Sequence, residues 1–310
     1  MKVSILVVIA TYNRPQSLLK ALKSIDHQDY DNFSILISDN SPNSETEKLM
    51  KDVRLSHNYE YIHREPQPNG IVHFNIILKE LPKEYDYFMI CHDDDTLREG
   101  AISSIAKLAE QNPSCVAIFS NGFRVRENGE VIGKFKKPEG NSIIFSKKEI
   151  VSKYIKGEGL PFPAILYKTK TSGIYYDPSK GGKYCDTAHS VELLNIGPIM
   201  WATNNYVINY TVSDKQDSRD INPKERRMLL NYLVGVCGFD YHLSDLIKES
   251  RINDIYSYYC LNGKVFGYKV LFIFFVNCRF KLLLKSILKN VLKTVLLLNG
   301  NCLFNNNIMI

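Results

Sequence analysis

No uninterrupted apolar run in this sequence reaches the roughly 18 residues that a membrane-spanning helix needs. The glycine-rich phosphate fingerprints are missing as well. No G-x-G-x-x-G opens the first helical segment, and no G-x-x-x-x-G-K-[S/T] occurs anywhere. Dehydrogenase, P-loop and nucleotidyltransferase readings are weak without those backbone cradles. Cysteine is sparse and unpatterned: seven residues, an odd number with no paired spacing, argue against a disulfide framework or a zinc site. Reduced thiols in a cytoplasmic setting are the simpler reading. The opening MKVSILVVIATYNRP has no small-residue cleavage site and turns at once, so it reads as a first strand and not as a signal peptide. Acid is absent after Asp254, where seven bases remain; with a net charge of +6 for the chain, residues 1–254 carry −1. The main domain is nearly neutral and the tail basic.

What is present is enough apolar residue, 45% of 310, to bury one large domain or a domain plus an extension. Val3–Ala10 is a continuous aliphatic run that suits a buried parallel strand. Thr11-Tyr12-Asn13-Arg14-Pro15 breaks it, and Pro15 fits the first turn of a helix carrying Leu18, Leu19, Leu22 and Ile25 at helical spacing. Phe33–Ser38 is a second strand ending in the turn Asp39-Asn40-Ser41-Pro42. Helices are predicted at Glu45–Val53, Ile71–Leu81 and Glu99–Glu110, and strands at Tyr59–His63, Tyr87–Cys91 and Val116–Phe119. Such alternation predicts an α/β fold with a mainly parallel, Rossmann-like sheet and helices on both faces. Ligands bind such sheets outside the carboxyl ends of the strands.

Tyr12, Asp39 and the triplet Asp93-Asp94-Asp95 all fall at predicted strand ends. Three adjacent carboxylates repel one another, and a hard divalent ion with oxygen ligands relieves that repulsion. The plain alternative is a solvated acidic turn starting a helix. Three motifs in order, the first strand into ATYNRP, the second into SDN and the acidic corner, resemble glycosyltransferase family 2 over roughly residues 3–220. That resemblance implies a GT-A fold, with a nucleotide-binding half at 1–120, an acceptor-binding half at 121–220, and a C-terminal helical extension at 221–310. It implies transfer of a sugar, usually with inversion, from a nucleotide sugar, a UDP-sugar in the first instance. Bacterial members of this type commonly build O-antigen or capsule units on a lipid carrier. It also implies site residues. Thr11 and Tyr12 line the base and ribose pocket, Arg14 lies near the donor, and Asp39 accepts from a uracil imide. Asp93 meets the ribose, while Asp94 or Asp95 ligates Mn²⁺ or Mg²⁺ on the diphosphate. The family's later histidine is replaced here by Ser213, followed by Asp214, Lys215 and Ser218.

Beyond residue 120, Phe123–Arg126 and Val131–Phe135 flank Asn128-Gly129, a hairpin signal. Ser146 with Glu149 has capping-box spacing for a helix. In GGKYCDTAHSVELLNIG, Asp186 can cap a helix whose face includes Ala188, Val191 and Leu194. In related enzymes an acid opening this helix sits beside the acceptor hydroxyl, which makes Asp186 the candidate general base. The alternative is an N-cap without catalysis. Glu192 is the second choice, and His189 reads as a helix-surface or pocket-wall residue. Ile199–Trp201 and Tyr206–Tyr210 are read as final strands, and Pro223–Val236 and Tyr241–Ile255 as helices.

Lys281, Lys285, Lys289 and Lys293 recur at four-residue intervals within the apolar stretch Val265–Leu298. Such a helix reads as lying on an anionic membrane surface, with packing on the domain or on another subunit of a homo-oligomer as the alternative. Nucleic acid is not an expected partner, since no recognised nucleic-acid-binding module is present. The expectation is a peripheral enzyme on the inner face of the cell membrane, with a nucleotide-sugar donor and a lipid-linked glycan acceptor. A non-catalytic scaffold of the same fold that retains nucleotide-sugar binding is the competing reading.

Overall fold

A computed structural model describes residues 2–66, 69–136, 139–155, 158–159, 162–213 and 222–238. The N-terminal aliphatic run forms β1 (Ile5–Thr11), followed by α1 (Pro15–Asp26), with Pro15 in its first turn. Then come β2 (Phe33–Asp39), α2 (Glu45–Asp52), β3 (Tyr59–His63) and α3 (Gly70–Glu80). Asn69 caps α3, its side chain accepting from the Val72 N–H at 3.0 Å. Next are β4 (Tyr87–His92), the two-residue β5 (Thr96–Leu97) and α4 (Ala101–Gln111). The second half holds β6 (Ala117–Arg126), β7 (Val131–Lys134), β8 (Asn141–Ile144), α5 (Lys147–Ile155), β9 (Ile165–Lys168), α6 (Cys185–Leu193), β10 (Ile199–Val212) and α7 (Pro223–Cys237).

One sheet runs in the order β3-β2-β1-β4-β9-β6-β10-β5, with β7 paired to β6 and β8 to β10. The strands β3, β2, β1 and β4 are mutually parallel, as the alternation of apolar runs predicts. From β9 onward the sheet is mixed: β9 lies antiparallel between β4 and β6, while β10 runs parallel to β6. The hairpin predicted at Asn128-Gly129 is the β6–β7 pair, with Gly129 at φ 86°.

Period-two alternation sorts the core into two layers. Ile5, Val7 and Ile9 of β1 face α1 and α4 through Leu18, Leu22, Ile102 and Ile105, whereas Leu6 and Val8 face α3, α5, α6 and α7. Every one of these side chains is at most 4% exposed, and each contributes roughly 1.5–3 kcal/mol by burial. Both sheet faces are therefore covered, and the free functional edge is the one at the strand ends.

Three features differ from the sequence reading. The two late strands are one, β10, of 14 residues, because irregular pairing between Ala202 and Tyr206 lets it continue past a polar stretch. Gly122 permits this close pairing: an added Cβ there would lie 2.6 Å from the Ile208 carbonyl oxygen. The strands β5, β8 and β9, two to four residues each, escape any periodicity argument, being too short to show one. Asp186 is not the cap of α6: Tyr184 holds that position and Asp186 lies inside the first turn. Predictions for Asp214, Lys215 and Ser218, for Tyr241–Ile255 and for the basic stretch Val265–Leu298 lie outside the described residues. Among the described residues no helix is long and apolar enough to cross a membrane.

Candidate active site

Register brings the site together. In the parallel β3-β2-β1-β4 block, Thr11 is opposite Asp39, Asp39 opposite His63, and Ala10 opposite His92. The loop after β1, the turn after β2 and the acidic triplet after β4 therefore emerge side by side at one edge.

The three aspartates then take different environments. Asp93 turns inward: its Oδ2 accepts from the Thr11 hydroxyl at 2.8 Å and the Tyr12 N–H at 3.2 Å, and its Oδ1 from Arg14 Nη1 at 3.1 Å. It clamps the loop after β1 to the end of β4. Burial nevertheless pushes its carboxyl above the usual range, outweighing Thr11 and Arg14. Asp94 is more open and pairs with Arg14 at 2.8 Å. Asp95 is buried, and its Oδ1 accepts from the Thr211 N–H of β10 at 2.8 Å. Its Oδ2 has no partner. Burial, with the neighbouring Asp94 charge, drives the Asp95 carboxyl well above its ordinary value.

His92, which the sequence reading did not single out, completes the corner. One donor atom each from His92, Asp94 and Asp95 lies within 4.8 Å of the others. Burial lowers the His92 pKa and favours the neutral, ligating imidazole. An unpartnered buried carboxylate oxygen beside a neutral imidazole and a second carboxylate fits a divalent cation. The signal available in the sequence was an imidazole placed directly before three acids at a strand end.

Asp39 reaches the same edge but faces inward, 0% exposed. Its Oδ1 accepts from the Ser41 N–H and hydroxyl, an Asx turn, and its Oδ2 from the Tyr61 hydroxyl at 2.7 Å. Ser41 in turn accepts from the Asn13 N–H at 2.8 Å, where Asn13 adopts φ 53°. Asp39 thus ties the turn after β2 to the loop after β1, and its burial keeps it out of direct contact with anything at the mouth of the edge. Tyr12 is 52% exposed at the mouth of the edge, and the Arg14 side chain is half exposed.

Asp186 stands in the first turn of α6, its Oδ1 accepting from the Thr187 N–H at 2.7 Å. Burial raises its carboxyl to about 6. Its charge is felt by the hydroxyls of Tyr167 and Tyr176. Tyr176 packs edge-on against Phe162 at 5.7 Å, and Phe162 lies 5.6 Å from the His92 ring. One aromatic cluster therefore joins the neighbourhood of Asp186 to the acidic corner. Of the two places read for His189, helix surface or pocket wall, the structure excludes the surface: the residue is 3% exposed and stacks on Tyr176 at 4.4 Å. Glu192, the second choice of base, is committed to Lys180 and to the Tyr232 hydroxyl. It lines a separate cleft of about 610 Å³ with Tyr175, Asp177 and Asn195, to which no residue of the acidic corner contributes.

A family model described as "Glycosyl transferase family 2" matches residues 6–171. The chain is 29% identical over 163 residues to the GalNAc(5)-diNAcBac-PP-undecaprenol beta-1,3-glucosyltransferase of Campylobacter jejuni, covering 49% of this chain and 48% of that protein. It is 26% identical over 136 residues to protein CgeD of Bacillus subtilis, covering 42% and 32% respectively. The chain thus matches half or less of the length of these curated relatives. Among solved structures, S. aureus TarS 1-349 in complex with UDP-GlcNAc superimposes with a TM-score of 0.60 at 15% identity, covering 82% of this chain and 73% of that one. That likeness is one of fold.

Proposed function

The chain belongs to glycosyl transferase family 2, and from that membership we propose that it transfers a sugar from a UDP-linked donor to a hydroxyl of a lipid-linked glycan. The setting would be synthesis of a bacterial surface polysaccharide of the O-antigen or capsule kind. The observation that carries the proposal is the convergence of the loop after β1, the turn after β2 and the His92–Asp95 corner at one sheet edge, with Asp186 on the adjoining aromatic cluster. The glucosyltransferase relative is named for a lipid-linked acceptor, and TarS was captured with UDP-GlcNAc, which supports the choice of donor and acceptor class.

In this reading residues 1–120 hold the donor and 121–220 the acceptor. Tyr12, exposed at the mouth, and Thr11 frame the base and ribose. Asp39 shapes the base pocket through the Ser41 turn. Asp93 keeps the loop after β1 in place and borders the ribose, and Arg14 faces the donor phosphates. Asp94 and Asp95 would hold Mn²⁺ or Mg²⁺, which supplies positive charge to the leaving diphosphate. Asp186 takes the proton of the acceptor hydroxyl as that oxygen attacks the anomeric carbon from the face opposite the leaving group, so the configuration inverts.

The test is nucleotide release from a panel of nucleotide sugars with Mn²⁺, with and without lipid-linked acceptors. Acceptor-dependent release from one UDP-sugar is expected. No turnover with any donor would instead favour a non-catalytic scaffold, a reading that the serine at 213 in place of the family's histidine also supports.

The basic stretch is proposed to hold the protein on the anionic inner face of the membrane, near its acceptor. Each lysine at such a surface contributes about 1 kcal/mol. Changing Lys281, Lys285, Lys289 and Lys293 together to Gln is expected to reduce co-sedimentation with phosphatidylglycerol vesicles by tenfold or more. Equal sedimentation of the two proteins would refute the membrane assignment.

A further inference from the structure

We propose that His92 is a direct nitrogen ligand of the cation in the acidic corner, making a mixed nitrogen and oxygen site that takes Mn²⁺ in preference to Mg²⁺. The proposal rests on the reading above that this corner holds a divalent ion.

Geometry supports it first. His92 Nδ1 lies 3.9 Å from Asp95 Oδ2, too far for a hydrogen bond. Two ligands that share an ion at about 2.1 Å from each stand roughly 3–4 Å apart. The separation is therefore that of two donors around a missing centre. Asp94 completes the group, with all three donor atoms within 4.8 Å of one another.

Unspent hydrogen-bonding capacity is the second support. The Asp95 side chain is 2% exposed, yet its Oδ2, the oxygen that faces His92 Nδ1, has no hydrogen-bond partner. Buried polar atoms are almost always paired, so this orphan beside an imidazole nitrogen calls for a ligand. Arg14 reaches Asp93 and Asp94 and makes no bond to Asp95. One guanidinium against three carboxylates leaves a formal deficit of two positive charges, which a divalent ion supplies.

The ring is also held in place. Phe74 and Phe162 pack against His92 at 5.8 and 5.6 Å and fix its orientation. Asp95 is fixed from the other side by the Thr211 N–H. Both donors are thus set before the ion arrives. Imidazole suits transition metals, whereas Mg²⁺ demands oxygen ligands at short, near-octahedral distances. A histidine at this place therefore biases the site toward Mn²⁺.

The full chain loaded with MnCl₂ alone, without nucleotide, provides the test by pulsed electron paramagnetic resonance. Wild-type protein is expected to show ¹⁴N modulation from a directly bound imidazole. His92→Gln is expected to lose that modulation and to bind Mn²⁺ about tenfold more weakly, with Mg²⁺ affinity changed by less than about twofold. Bound Mn²⁺ in the wild type without ¹⁴N modulation overturns the proposal and leaves the oxygen site standing. Modulation that persists in His92→Gln overturns it also. Failure of the wild type to bind Mn²⁺ at all sinks both this inference and the metal-dependent reading on which it rests. The wild-type spectrum decides the matter even if the variant fails to fold.

Discussion

Asp186→Asn is expected to lower transfer by about 10²–10⁴-fold, the range for removing a general base, with nucleotide affinity unchanged. The wild-type pH profile carries the same information. Only the ionised carboxylate can take a proton, and burial holds the Asp186 carboxyl at about 6. The rate of transfer at limiting acceptor should therefore rise with pH through about 6 and level off above it. The variant should lack that limb. Stability moves the opposite way. A carboxyl whose folded pKa is raised contributes stability below its unfolded value, and that contribution is lost as pH rises through the folded value. At pH 7 the ionised Asp186 thus costs the fold roughly 1–3 kcal/mol, the lower figure allowing for solvent that still reaches it. Asp186→Asn should melt a few degrees higher than wild type at pH 7, an advantage that disappears below about pH 4. A residue kept only to start a helix would give a lower melting point and normal transfer. Transfer within tenfold of wild type would place the base elsewhere.

The second large effect concerns Asp95. Its Oδ2 is buried and unpaired, and burial disfavours its ionised form, which a bound cation would stabilise. Saturating Mn²⁺ at about 100 times its dissociation constant should stabilise the wild type by about 2.7 kcal/mol, a shift of several degrees that a chelator reverses. Asp95→Asn can still accept from the Thr211 N–H through its amide oxygen but loses the charge. It should melt at or above the metal-free wild type, show no Mn²⁺-dependent shift, and lose transfer by two orders of magnitude or more. An undiminished Mn²⁺ shift in this variant would move the cation away from Asp95.

These two predictions fall on residues whose importance was visible in the chain but whose roles were not. The strands β1, β2 and β4 were legible because each is an apolar run bounded by turn residues, and their ends named Thr11, Asp39 and the acidic triplet. Two nearly equal acids, Asp93 and Asp95, were not distinguishable from spacing alone. Asp93 became a clamp because Thr11 and Arg14 meet it, and Asp95 kept one oxygen unpaired because only a β10 amide meets its side chain. Of the two partners of Asp39, Ser41 comes from a local turn, whereas Tyr61 depended on the register of β2 with β3. Glu192 lost its candidacy to Lys180 and Tyr232, residues 12 and 40 positions away.

By itself, the sequence determined the layered α/β core, since period-two and helical spacing act over a few residues and survive in any tertiary context. It also determined that carboxylates would gather at one sheet edge, because parallel strands must end together. Tertiary structure alone decided the antiparallel insertion of β9, the continuity of β10 and the burial that leaves one Asp95 oxygen without a partner while the Thr211 N–H of β10 takes the other. Those depend on contacts between segments distant in sequence, whose energies are set by burial and by which polar atoms are left without partners. No local pattern encodes them.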